Sequence, residues 1–272
     1  MVKKSGLNCM FFSNRKWINT PLNYIGYQSL RYFFSYICNY LSIRNKQSDL
    51  ARNGYIVIND FLSQRSLIEL QQYFVSSDTE SSFDESIQDA GTLVVRQSTT
   101  IDGPVELRPS LHEIYNTLST FNDFFKISLN QKIWLDKIYN TKDACSQNDI
   151  HCDTFHAAFK VWYFPFGVTK DQSPLCIYKN THQFSFKRFF LEYICSISAT
   201  EDSEHSWRLP KKGFFSSLAG DKVYFTCEPN TFVVANTMAF HHRSISLQDS
   251  IRYQVHLSLP REAFKCFYRR SS

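Results

Sequence analysis

The stretch DIHCDTFHAAFKVWYF, residues 149–164, constrains the fold of this chain more than any other. Polar residues and His151 lead in, Asp153 follows two positions later, and the segment then turns apolar and aromatic, as a buried strand does. A carboxylate is almost never buried unless it is paired or coordinates a metal. Alternate residues of a strand share a face, so His151 and Asp153 point one way and Cys152 the other. Any fold for this chain has to bury that strand and bring a further ligand to its mouth. His151 and Asp153 read as half of a metal site.

Composition narrows the class. With 272 residues, 43% hydrophobic and 16% aromatic, the protein is able to bury a sizeable core and is not disordered. Its length suits one all-β barrel or sandwich with decorations. A net charge of +5, scattered along the sequence, is too mild to imply nucleic-acid binding. The eight cysteines are spread out with no CxxC pair, which fits reduced thiols in the cytoplasm and neither a zinc ribbon nor a disulfide framework. No apolar run approaches the ~20 residues of a membrane span.

Residues 1–48 differ from the rest. They carry Lys3, Lys4, Arg15, Lys16, Arg31, Arg44 and Lys46, no acid, and many aromatic residues. Tyr27, Leu30, Phe34, Ile37 and Leu41 fall at helical spacing and predict a helix over 22–43. The preferred reading is a helix packed on the outside of the main domain, with Tyr27, Leu30, Phe34 and Ile37 buried. The other reading, peripheral contact of a basic amphipathic helix with a membrane surface or an organellar presequence, is not favoured. The division is then a basic, aromatic, helical extension (1–48) and a main domain (49–272).

Along the main domain, 53–62 reads as a strand and turn, and a helix follows with Ser63 as N-cap and Leu67, Leu70 and Phe74 as its apolar stripe. Residues 77–92, rich in Ser, Asp and Glu, read as an exposed loop. Strands are expected over 92–99, 131–140, 159–168, 222–229, 231–237 and 251–260, and helices over 110–125 and 186–198. Helices early and strands late point to an α+β fold, a β-core flanked by helices.

Two histidines and one carboxylate on one face of a metal hold Fe(II) and leave positions open for an oxidant and a co-substrate. The remaining ligand is offered by ANTMAFHHRSISLQDSIRYQVHLSLP (235–260), where His241 and His242 sit at the end of one β segment and Arg252 lies in the next. An arginine in a β-core needs an anion, and a dicarboxylate bound beside iron supplies one through a bidentate contact.

In this order the residues resemble the phytanoyl-CoA dioxygenase family of Fe(II)/2-oxoglutarate oxygenases, from about Ala51 to Pro260. GYIVINDFL (54–62) is similar to the family's opening strand and turn. HCDTFH with Lys160 resembles its HxDTFH segment, and AFHHRS…IR resembles its Phe-His-Arg segment with the co-substrate arginine eleven residues beyond the ligand. That spacing selects His241 over His242. The resemblance implies a double-stranded β-helix (jelly-roll) core, Fe(II) held by His151, Asp153 and His241, and 2-oxoglutarate and O2 as co-substrates, with Arg252 on the distal carboxylate. Gln254 shares the face of Arg252 and is placed to add a hydrogen bond to the same carboxylate. Lys160 reads first as a surface lysine with a snorkelling stem and second as a partner for an anionic substrate or co-substrate. The sequence departs from the family at Ser173, where a glycine is usual, and at Asn180-Thr181 before His182. Because Asp153 is present where related halogenases have a small residue, the expected reaction is hydroxylation of a C–H bond in a small molecule or acyl chain. The rival expectations are a non-catalytic jelly roll docking on a membrane or partner through its N-terminal helix, and a cupin-like metalloenzyme using no keto acid.

Overall fold

The computed structural model describes residues 48–76, 84–89, 91–121, 127–153, 158–183, 185–197, 206–209 and 221–260, with Gly26, Ser29 and Phe33. The expected burial of Tyr27, Leu30, Phe34 and Ile37 falls outside the described residues.

The strands divide between two antiparallel sheets. Helix α1 (Ser48–Asn53) leads into strand β1 (Tyr55–Ile58) and helix α2 (Gln64–Ser76), followed by a hairpin of β2 (Glu85–Asp89) and β3 (Thr92–Thr99), and helix α3 (Arg108–Ser119). The core strands follow: β4 (Ile133–Asn140), β5 (His151–Asp153), β6 (Ala158–Phe164), β7 (Leu175–Tyr178), helix α4 (Phe186–Ile197), then β8 (Ser206–Arg208), β9 (Lys222–Tyr224), β10 (Thr231–Asn236), β11 (His241–Arg243) and β12 (Ser250–Pro260). One sheet has the order β1-β10-β6-β12-β4-β3-β2 and the other β8-β5-β11-β7-β9. From β4 onward the path passes back and forth between them. The eight strands β4, β5, β6, β7, β9, β10, β11 and β12 interleave as a double-stranded β-helix, the α+β jelly roll expected from the sequence.

The seven-stranded sheet packs helices on one face. Leu67, Leu70 and Phe74 of α2 and Leu111, Ile114 and Leu118 of α3 meet Leu135, Val161, Tyr163, Val255 and Leu257 of the sheet in one core. Ser63 caps α2 as expected, its Oγ accepting from the Ser66 N–H at 3.3 Å. The opposite face turns toward the smaller sheet, where Trp162, Phe164, Leu175, Ile177, Phe225, Val233 and Ala235 form a second core. Strand β12 shows the division residue by residue: Val255, Leu257 and Leu259 face the helices, while Arg252, Gln254 and His256 face inward between the sheets. A strand whose inner face is polar encloses a cavity instead of a packed interior.

Four expectations need correction. The strand expected over 222–229 ends at Tyr224, with only an isolated bridge from Cys227 to Val168 beyond it. The segment 77–92 is not all loop: Glu85–Asp89 forms β2, paired with β3 from Glu85↔Arg96 to Asp89↔Thr92. Apart from Ile87 its residues are polar, and most are exposed, so backbone pairing makes the strand without the alternation that reveals one. The strand expected over 159–168 stops at Phe164, before Pro165, which has no N–H for the ladder. The helix expected over 110–125 runs Arg108–Ser119, with Pro109 in its first turn.

Candidate metal centre

Strand register brings the histidines together. His241 on β11 lies directly opposite His151 on β5, which places two side chains of neighbouring strands on one face within contact reach. Their rings stand 4.4 Å apart between centroids. Asp153 shares the face of His151, and its backbone N–H donates to the Thr237 carbonyl at 3.0 Å. One donor atom each from His151, Asp153 and His241 falls within 4.8 Å of the others. His242 is not in this group; its Nδ1 sits 2.9 Å from the Arg243 carbonyl and its ring lies near Tyr178.

Both histidines are oriented by a carbonyl oxygen. His151 Nδ1 is 2.7 Å from the Asp149 carbonyl and His241 Nδ1 is 2.8 Å from the Ala239 carbonyl. A carbonyl only accepts, so Nδ1 carries the proton and Nε2 keeps its lone pair, the arrangement that metal-ligating imidazoles adopt. Burial, then the neighbouring His241, pulls His151 well below its ordinary value, against the Asp149 carbonyl and Asp153. Burial also lowers His241, opposed by Asp153. Both imidazoles are therefore neutral at neutral pH. Burial works to raise the Asp153 carboxyl, but Lys160 and His241 outweigh it and hold it far below the usual carboxylate range. Two neutral imidazoles and one ionised carboxylate fit a divalent first-row metal and leave the rest of its coordination sphere free.

Lys160 is not a snorkelling surface lysine. Its Nζ sits 2.6 Å from Asp153 Oδ2, and it lines the cavity. The cavity, about 340 Å³, lies between the sheets and is also lined by His151, His241, Arg252, Gln254 and Trp162. Arg252 is buried, and its Nη1 donates to the carbonyls of Gln172 and Ser173, while its Nε has no partner. Burial, then the nearby Arg243 charge, pushes its guanidinium down to about 9, so it is still charged at neutral pH. Ser173, standing where the resembled family has glycine, adopts φ 54° and donates its hydroxyl to the Ser244 carbonyl at 2.5 Å. The left-handed turn that presents the Ser173 carbonyl to Arg252 is therefore kept by a serine, at a cost of about 1–2 kcal/mol relative to glycine.

Gln254 lines the same cavity, but its Nε2 is committed to Asp136 Oδ2 at 3.0 Å. Behind that bond is a row across three strands: Arg96 on β3 opposes Asp136 on β4, and Asp136 opposes Gln254 on β12. Arg96 Nε lies 2.9 Å from Asp136 Oδ1. A second row stacks His256 between Trp134 and Trp162, with centroids 5.3 and 5.8 Å away. The sequence reading missed both rows, along with Arg243. Asp136 could have been found by the test applied to Asp153, since it is a carboxylate inside an apolar, alternating strand.

No protein-family model matches the sequence, and no curated protein does. Among solved structures it is similar to SnoK, a non-heme alpha ketoglutarate dependent carbocyclase from nogalamycin biosynthesis, at 10% identity over 78% of this chain and 81% of that one, with TM-score 0.48. It is similar to EctD from S. alaskensis, solved with 2-oxoglutarate and 5-hydroxyectoine, at 15% identity over 79% and 74%, TM-score 0.49. A Pseudomonas putida prolyl-4-hydroxylase matches at 11% identity over 78% and 95%, TM-score 0.47. Likenesses this distant bring no chemistry with them, and the strand order identifies the jelly roll without them.

Proposed function

We propose that this protein is an Fe(II)- and 2-oxoglutarate-dependent dioxygenase that hydroxylates a C–H bond of a small molecule or acyl chain. The observation that carries the reading is a pair of unmet needs in one cavity. Two imidazole Nε2 lone pairs and a carboxylate converge at one end, and the buried Arg252 Nε lacks a partner elsewhere on the wall. A metal answers the first need and the free carboxylate of a keto diacid the second.

When bound there, ferrous iron with 2-oxoglutarate and O2 supplies the oxidising power for hydroxylation. The protein's own residues do the rest. His151, Asp153 and His241 hold the metal, with Asp149 and Ala239 fixing the ring orientations through their carbonyls. Lys160 bonds the carboxylate of Asp153 and steadies its ionised form. Arg252, braced by the Gln172 and Ser173 carbonyls, keeps its Nε edge for the distal carboxylate. Gln254, whose Nε2 bonds Asp136, steadies the wall beside Arg252. Trp134, His256 and Trp162 form an aromatic wall with few hydrogen-bond donors, which keeps water away from the reacting carbon.

The finer placement beside the phytanoyl-CoA dioxygenase family is supported by HCDTFH with Lys160 and by the eleven-residue step from His241 to Arg252. The division at residue 48 and a cytoplasmic setting complete the proposal. Cys145, Cys152, Cys176 and Cys227 are free thiols, and no helix among the described residues is long and apolar enough to cross a membrane. The test is release of succinate from 2-oxoglutarate by the ferrous protein in air. Iron binding by the wild type with no turnover of the keto acid, even with a broad set of candidate substrates, would instead favour a metalloenzyme that uses no keto acid.

A further inference from the structure

The cavity carries one cation more than the proposed chemistry uses. Arg96, Lys160, Arg243 and Arg252 all line it. Arg96 is matched by Asp136 at 2.9 Å and Lys160 by Asp153 at 2.6 Å. Arg252 is braced by carbonyls and faces the site assigned to the keto diacid. Arg243 is left over: its guanidinium makes no hydrogen bond or ion pair with any described residue, and it interacts with Asp89 and Asp136 only at a distance.

The carboxylates nearest to it are engaged elsewhere. Asp136 serves Arg96 and Gln254. Asp89 accepts from the Ser146 N–H at 3.0 Å and from the Ser146 hydroxyl at 2.5 Å. The backbone of Arg243 is fixed, opposite Leu175 on β7 and with its carbonyl accepting from Asn148 Nδ2 at 3.0 Å. Two positions beyond His241 on the same strand, it shares that histidine's face and looks into the metal-bearing cavity.

The surplus does not depend on whether the site is loaded. Among the described residues, four cationic groups face three carboxylates, those of Asp89, Asp136 and Asp153. A divalent metal and a dianionic keto acid cancel each other, so one positive charge remains uncovered in both states. Arg243 is only partly buried, yet its charge faces a protein-walled cavity, where an arriving anion supplies the counter-charge it lacks.

We propose that Arg243 binds a carboxylate of the substrate, which makes the substrate a small monoanionic acid and not a neutral molecule. That the acid is a substrate rests on the dioxygenase reading; the anion site itself does not. A planar guanidinium matches a carboxylate through two parallel hydrogen bonds, and a single uncovered charge matches a carboxylate better than a dianionic phosphate monoester. The cavity lies toward the small end of ligand pockets and must hold the keto diacid as well, which favours a short acid over a long acyl chain.

The test uses the full-length protein loaded with Zn(II), which binds without turnover. Unbranched monocarboxylates from acetate to octanoate, and their primary amides, are titrated by calorimetry with and without 2-oxoglutarate. The wild type binds an acid of this series and not its amide. Arg243→Met lowers that affinity about 30-fold or more, the loss expected for a charge-assisted pair, and leaves 2-oxoglutarate affinity nearly unchanged; Arg252→Met does the reverse. In thermal melts without ligand, Arg243→Met is at least as stable as the wild type, because an uncovered cation has been removed, and the acid raises only the wild-type midpoint. The proposal is overturned if no acid of the series binds, if amides bind as well as acids, or if Arg243→Met melts below the wild type. It is also overturned if Arg243→Met weakens 2-oxoglutarate as much as Arg252→Met, since both guanidiniums then hold one carboxylate. Acid binding that depends on Arg243, with no 2-oxoglutarate binding to the wild type, keeps the anion site and removes the dioxygenase reading.

Discussion

Replacing His256 by phenylalanine should flatten the acid side of the stability profile. His256 stands in an aromatic stack between Trp134 and Trp162, with neither ring nitrogen hydrogen-bonded. Burial lowers its pKa from 6.5 to about 4; Lys160 and Arg96 push the same way, and Asp136, 3.8 Å from Nδ1, only partly opposes them. The unfolded state therefore takes up a proton near pH 6.5 while the folded one stays neutral until about pH 4. Between those values the unfolded state binds more protons, so this group's contribution to stability is complete above pH 6.5 and is lost as pH falls through 4. The full shift corresponds to about 3 kcal/mol at 1.36 kcal/mol per pH unit, about 2 of which are gone by roughly pH 5. Phenylalanine keeps the ring in the stack and removes the titration. Urea unfolding of the metal-free protein, measured at half-unit steps across this range, should show the wild type losing about 3 kcal/mol more than His256→Phe. Parallel profiles for the two proteins would show that His256 is protonated, or solvated, in the folded state, and the account of a dry neutral wall would fall with it.

Three further outcomes follow from the same geometry. Asp153→Ala should abolish succinate release and reduce iron retained after desalting from one per molecule to near none, because two imidazoles alone hold ferrous iron weakly. Arg252→Met should weaken 2-oxoglutarate binding by about 30-fold to several thousand-fold and leave iron stoichiometry at one, as read by calorimetry and metal analysis. Gly54→Ala should lower the thermal midpoint: the added Cβ would lie 2.5 Å from His182 Nδ1 at a backbone φ of +83°, and the conformation alone costs about 1–2 kcal/mol. Unchanged melting of that variant would mean that His182 gives way freely, against its hold on the Ala51 carbonyl.

The parts of the fold that the sequence reveals are those where one strand carries its own signal. Strand β3 and the stripe Leu67, Leu70 and Phe74 are legible because a buried face repeats at the period of its element. His151 and Asp153 are legible because a carboxylate two residues from a histidine has no inexpensive place in an apolar strand. The short strands β5, β7 and β11 span three or four residues each, too few for any period to show, yet two of them carry His151, Asp153 and His241 of the candidate metal site. Their existence rests on register with neighbours far away in sequence.

The same reason separates Arg252, whose burial on the inner face is legible from its own strand, from Lys160 and Gln254, whose contacts are not. Arg252 raises its question alone, since a guanidinium on the inner face of a strand needs an anion whatever lies across from it. Lys160 and Gln254 are answered only by their partners. Lys160 on β6 meets Asp153 on β5, seven residues back in sequence, and Gln254 meets Asp136, 118 residues away. Pairing Gln254 with Asp136, and Asp136 with Arg96, neutralises one wall of the cavity, which is a fact about three strands in one register and not about any of them singly. Arg243 is visible only against that background: it stands out once Arg96 and Lys160 have met their carboxylates and Arg252 is assigned to the keto diacid.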